Sequence, residues 1–111
     1  MHGGGYDCIY SMDVIEHIPK EDEQTFVDTI WQNMADNGFA IIGTPNKTMY
    51  SYASPWNKLR HINNFDQARL YDLLSTRFAQ VFIFGMTDEV LHTGFYPMCC
   101  YIVALALQKK S

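Results

Sequence analysis

Two strand-then-helix units follow one another at the start of this chain. The run Tyr6-Asp7-Cys8-Ile9-Tyr10-Ser11-Met12 is apolar, aromatic and of the length of a buried strand. Phe26, Val27, Ile30, Trp31 and Met34 then recur at helical spacing, with Glu21, Asp22 and Glu23 in the first turn, where the helix dipole favours negative charge. Asn37-Gly38 is the expected left-handed stop, so the helix is placed at about 20–37. A second apolar run, Phe39 to Thr44, ends at Pro45. From Asp66, a candidate N-cap, Ala68, Leu70, Leu73, Leu74 and Phe78 mark a second helix at about 66–77. Strands at about 80–86 and 100–107 complete a β-α-β-α-β-β order. Such an order argues for an α/β fold with a parallel sheet and right-handed crossovers. The last pair differs, because Thr87 to Cys99, with Gly94 and Pro97, has no helical period and suits an antiparallel return.

Composition narrows the class further. The chain has 111 residues, 48% of them apolar and 18% charged, which describes a single domain with a modest core. Apolar runs stop short of the roughly 18 to 20 residues of a membrane span. No basic-then-apolar opening reads as a secretory signal. Twelve acidic against eight basic residues leave no cationic field for a phosphate backbone, so there is no strong nucleic-acid signal. Cys8, Cys99 and Cys100 form no disulfide framework; they read as buried structural thiols in a reducing, cytoplasmic setting.

Three places carry candidate chemistry. Ser11, Met12 and Asp13 end the first strand, where Ser11 or Asp13 also suits a cap of the next turn. If that turn is helical, Asp13, Glu16 and His17 share a face, close enough to hold a divalent ion that His61 could reach from the long connection 46–64. General-base work by His17, or a purely structural Glu16-His17 pair, remain open alternatives. Gly43-Thr44-Pro45-Asn46 ends the second strand, at the edge of an α/β sheet where ligands bind. There Asn46 offers donor and acceptor, with Tyr50, Tyr52 and Trp56 as a candidate aromatic lid.

Taken together, YDCIYSMDVIEHIP, GFAIIGTPN and the later RHINNF resemble the class I S-adenosylmethionine-dependent methyltransferases. The resemblance is to the C-terminal half of that Rossmann-like fold, whose sheet order is 3-2-1-4-5-7-6 with strand 7 antiparallel. It implies a partial sheet with strands corresponding to 4-5-7-6, the last of the chain being antiparallel. It further implies that Ser11, Met12 and Asp13 flank the methionine and sulfonium part of S-adenosylmethionine and that His17 is catalytic. Asn46, Tyr52 and His61 fall on the acceptor side. The metal-assisted O-methyltransferases of the family suggest Asp13, Glu16, His17 and His61 as metal ligands.

The family's glycine-rich loop after strand 1, and its acidic residue after strand 2, have no counterpart, and Gly3-Gly4-Gly5 precede a strand rather than follow one. The chain therefore reads as a truncated or split methyltransferase whose strand at 6–12 lies at an open edge. A homodimer, or a separately encoded N-terminal half, is expected to pair there. Two functions compete: methyl transfer to an oxygen or nitrogen of a small molecule, completed by a partner, or a non-catalytic methyltransferase-like remnant that binds a partner chain.

Overall fold

The structure, a computed structural model, describes residues 5–47, 63–87, 91–93 and 99–110. One sheet contains β1 (Tyr6–Met12), β2 (Met34–Pro45), β3 (Phe78–Met86), β4 (Leu91–His92) and β5 (Tyr101–Lys109), in the spatial order β1-β2-β5-β3-β4. Helices α1 (Glu23–Asn33) and α2 (Gln67–Leu74) make the connections from β1 towards β2 and from β2 towards β3. β1 and β2 are parallel, and β5 runs antiparallel between β2 and β3. The fold is thus α/β, and β1, β2, β5 and β3 stand in the expected 4-5-7-6 order. The short strand β4 has no sequence signal; it pairs only Leu91 and His92 with the end of β3.

The end of α1 departs from expectation. The helix stops at Asn33, and Met34 is already extended with φ −92° and ψ 140°. Asn37 and Gly38 lie inside β2, and Gly38 is not left-handed. The β1–β2 register slips there, from Tyr6 opposite Met34 to Cys8 opposite Phe39. A side chain at Gly38 would sit 2.9 Å from the carbonyl oxygens of both Tyr6 and Asp7, so this glycine allows two backbones to approach rather than ending a helix. The second helix begins as expected: the Asp66 carboxylate accepts from the Arg69 amide at 2.9 Å.

Both helices pack on the same face of the sheet. Val27 and Ile30 of α1 and Leu70, Leu73 and Leu74 of α2 join Ala40, Ile42, Ile102, Ala104, Ala106, Phe65 and Phe78 in one core. Alanines on β2 and β5 let the helices lie close. Strand alternation sends a second apolar row to the opposite face: Tyr10 is paired with Ile41, Ile41 with Leu105, and Leu105 with Phe82. Tyr10 is 74% and Phe82 47% exposed. The C-terminal strand is tied to α1 through Trp31, whose Nε1 donates to the Lys110 carbonyl at 2.9 Å. Arg77 and Lys109 lie over the Trp31 ring at 4.7 and 4.5 Å. Among the described residues no helix is long and apolar enough to cross a membrane.

Candidate functional site at the carboxyl edge of the parallel strands

β1 and β2 end side by side, Met12 opposite Gly43, and the Asp13 amide donates to the Gly43 carbonyl at 3.0 Å. Asp13 then turns out of the strand with φ 61°, a left-handed conformation that aspartate tolerates better than most residues. A Cβ at Gly43 would lie 2.5 Å from Met12 Cε and 2.9 Å from Tyr101 Cε2. Glycine is therefore what lets the Met12 and Tyr101 side chains close over the strand end. The Tyr101 hydroxyl donates to Asp13 Oδ1 at 2.8 Å. Burial, and after it the hydrogen bond to Asp13, push the Tyr101 phenol well above the usual tyrosine range, so it stays protonated and stays a donor.

Tyr101 went unnoticed in the sequence because it opens a strand that is remote along the chain. Only the insertion of β5 beside β2 sets it opposite Pro45 and within reach of Asp13.

The turn after β1 does not gather the expected constellation. It is a three-residue 3-10 turn, Ile15–His17, with no side-chain cap from Ser11 or Asp13. Asp13 lies ahead of it in a left-handed conformation, so the helical spacing that would align Asp13 with Glu16 and His17 is not realised. The two carboxylates have separate partners. Glu16 is buried and accepts from the Thr44 hydroxyl at 2.9 Å, while its backbone carbonyl accepts from the Asn63 amide. His17 Nε2 lies 3.7 Å from Glu16 Oε2, on a side chain that is 37% exposed. Among the described residues no group of three or more His, Cys, Asp and Glu side chains could hold a metal ion. Tyr52, His61 and the aromatic connection around them lie outside the described residues.

Ser11 is half-buried on the helix-bearing side, whereas Met12 is exposed on the other, so their side chains address opposite faces. Asn46 does not present its amide to a ligand. It is 1% exposed; its Nδ2 donates to the Cys99 carbonyl and its backbone amide to the Cys100 carbonyl, both at 3.0 Å. The residue after the GTP turn thus fastens the end of β2 to the approach of β5.

A second polar cluster, unanticipated from sequence, braces the site from behind. Asn63 is buried, donates to Glu23 Oε1 at 2.9 Å and accepts from Arg69 Nη2 at 2.6 Å. Arg69 also pairs with Glu23 at 2.8 Å and lies over the Phe65 ring. This cluster joins the turn after β1 to both helices.

Of the three thiols, Cys99 is buried as expected and Cys100 partly so, whereas Cys8 is exposed on β1. Burial, and secondarily Cys100, push the Cys99 thiol up, which favours its protonated form.

Chemically, the edge offers an exposed carboxylate, held in place by a protonated phenol, beside a thioether at the open end of two parallel strands. Such a group accepts hydrogen bonds from, or pairs with, a cationic or hydroxylated ligand.

No family model and no curated protein matches the sequence. The solved structures do. An S-adenosylmethionine-dependent methyltransferase from Thermotoga maritima matches with a TM-score of 0.75 at 14% identity over 95% of this chain. One from Archaeoglobus fulgidus matches with a TM-score of 0.73 at 15% identity over 97%. The N-methyltransferase NodS from Bradyrhizobium japonicum WM9, in complex with S-adenosyl-L-homocysteine, matches with a TM-score of 0.59 at 13% identity over 97%. This chain spans only 56%, 61% and 48% of the lengths of those proteins. At these identities the likeness speaks to architecture, and in architecture the chain is a partial Rossmann-like sheet of the S-adenosylmethionine-dependent methyltransferase fold.

Proposed function

We propose that this chain carries the acceptor-facing half of an S-adenosylmethionine-dependent methyltransferase that moves a methyl group to an oxygen or nitrogen of a small molecule. The observation behind this reading is the Tyr101–Asp13 pair beside Met12 at the open carboxyl edge of β1 and β2, the part of an α/β sheet where ligands bind. Bound S-adenosylmethionine would supply the methyl group. Ser11, Met12 and Asp13 suit its methionine end, because a fixed carboxylate favours a neighbouring sulfonium cation. His17, on the exposed side of the buried Glu16, is the candidate general base for the acceptor.

The described residues fit one end of the cofactor only. A strand-to-helix glycine turn and a ribose-binding carboxylate have to come from polypeptide beyond them. Two features support completion by a partner: among the described residues β1 has no neighbour on its outer side, and the helix-free face carries the apolar row from Tyr10 to Phe82. The second reading, a non-catalytic module that binds a partner through the same strand, rests on the same open edge.

Calorimetry with S-adenosylhomocysteine separates these readings. Heat is expected only when a polypeptide carrying the glycine-rich half accompanies the chain, and Asp13→Asn should weaken that binding about tenfold, roughly 1.4 kcal/mol. In the completed enzyme, His17→Ala should lower kcat by about a hundredfold or more. Binding by the chain alone would refute the need for a partner; no binding in either case would select the non-catalytic module.

A further inference from the structure

We propose that Tyr101 is a positioning residue that makes Asp13 a selector of charge, so that this edge holds a sulfonium more tightly than the neutral thioether left once the methyl group has gone. The proposal rests on the methyl-transfer reading and adds to it a residue from the far end of the chain. Tyr101 opens β5, opposite Pro45 of β2, and its hydroxyl donates to Asp13 Oδ1 at 2.8 Å. A carboxylate can be fixed in two ways. A lysine or arginine would hold it and cancel its charge; a phenol holds it and leaves the charge in place. Here the holder is the phenol. Burial raises it most, and the hydrogen bond to Asp13 and the carboxylates of Asp13 and Glu16 add to that, so it remains a neutral donor.

The charges around the pair agree. Among the described residues no basic side chain pairs with Asp13. Lys47, just past the end of β2, reaches Asp66 at 3.7 Å, and His17 lies 3.7 Å from Glu16. Buried Glu16 brings a second carboxylate to bear on the same hydroxyl. The surroundings are partly apolar. Met12 Cε and Tyr101 Cε2 stand 2.5 and 2.9 Å from the point where a Cβ on Gly43 would lie, so a thioether and an aromatic ring meet beside the carboxylate. A cation whose charge is spread over alkyl groups, as in a sulfonium, gives up little hydration there and gains the carboxylate.

Methyl transfer removes that charge. The sulfur–carbon bond breaks with its electron pair kept by sulfur, the methyl group joins the acceptor oxygen or nitrogen, and the acceptor's proton passes to a base. S-adenosylhomocysteine then keeps the ammonium of its methionine end but has lost the sulfonium. Asp13→Asn, which the left-handed backbone tolerates, should therefore weaken binding of the sulfonium form more than that of the product. The native pair thus favours release of the product.

The test uses the full chain and two small probes that share an amino-acid end: S-methyl-L-methionine, a sulfonium, and its neutral isostere with CH in place of the sulfur cation. Binding is followed by NMR of the Met12 methyl and the Tyr101 ring. The sulfonium is expected to bind about tenfold more tightly, a ratio that falls to about one in Asp13→Asn and to about threefold or less in Tyr101→Phe. A merely structural Tyr101 would weaken both probes together and leave the ratio unchanged. Raising the salt from about 0.01 to about 1 M should shrink the ratio too, because the Debye length falls from about 30 to about 3 Å. Equal binding of the two probes, no shift from either at about 50 mM, or a ratio that survives either substitution in a chain still folded by circular dichroism overturns the proposal. If the ratio is as expected and S-adenosylhomocysteine gives no heat with the glycine-rich half, charge selection at Asp13 stands and the methyl-transfer reading falls. Bound S-adenosylhomocysteine with equal probes sinks charge selection alone.

Discussion

At the scale of single residues, the carboxyl edge depends on Tyr101, which attracts no notice in the sequence, and on Glu16 as the buried acceptor of the Thr44 hydroxyl. Tyr101→Phe deletes the hydroxyl that holds Asp13 and should cost about 0.5 to 1.5 kcal/mol in urea unfolding, while leaving the ring over Gly43. The folded-state phenol is raised, so its stabilising effect is present below the ordinary tyrosine value of 10.0 and is lost as the pH rises towards the folded value. The stability gap between the native chain and Tyr101→Phe should therefore narrow above pH 10.0, and phenolate absorbance should show one late-titrating tyrosine that the variant lacks. Glu16→Ala leaves the buried Thr44 hydroxyl without its acceptor and should cost about 1 to 3 kcal/mol. Glu16→Gln, which keeps an oxygen in place, should cost less. Legibility was uneven at this scale. Asp13 was visible as a strand-end carboxylate, but its partner lies 88 positions away along the chain. Asn46, which looks like a ligand contact in the GTPN motif, is buried with its Nδ2 donating to the Cys99 carbonyl, which no local pattern places beside it.

At the scale of elements, local chemistry placed the start of α2 well and both helix ends late: α1 stops at Asn33 rather than 37, and α2 at Leu74 rather than 77, with Phe78 already in β3. Asp66 is the N-cap of α2, and Asp66→Ala should lower stability by about 0.5 to 2 kcal/mol without moving the sheet. The Asp28–Arg77 pair ties α1 to the turn after α2, and the Arg77 guanidinium, with help from Gln24, holds the Asp28 carboxyl below its ordinary value of 3.8. A lowered folded-state value stabilises above the ordinary one and is lost as pH falls through it. Asp28→Asn should thus be slightly less stable than the native chain at neutral pH, and the difference should close below pH 3.8 in thermal melts. Asn-Gly at 37–38 reads as a helix stop because a left-handed residue commonly follows a helix. Here burial of Met34 draws the chain into β2 four residues earlier, and Gly38 is needed where β1 and β2 crowd. Gly38→Ala should accordingly disturb the strand pair rather than the helix, seen as faster amide exchange at Tyr6 and Asp7.

At the scale of the whole molecule, two helices on one face and an apolar row on the other make stability one-sided. Phe78 is 1% exposed in the core, and Phe78→Ala should cost about 3 to 5 kcal/mol, a large share of the stability of a small domain. Phe82, further along β3 and outside the core, should cost far less when replaced by alanine in the single chain, since its side chain is already 47% in water. From sequence alone came the α/β class, two crossover helices, four of the strands and the antiparallel return, because periodicity and caps act over a few residues and leave a local record. The place of β5 between β2 and β3 was expected from the resemblance and from no local pattern; the tertiary structure alone decided that Tyr101 thereby meets Asp13, and that Glu16 is buried against Thr44 instead of beside Asp13. Those outcomes turn on strand order and register, which are settled by competition among distant segments for the same hydrogen bonds and the same core volume.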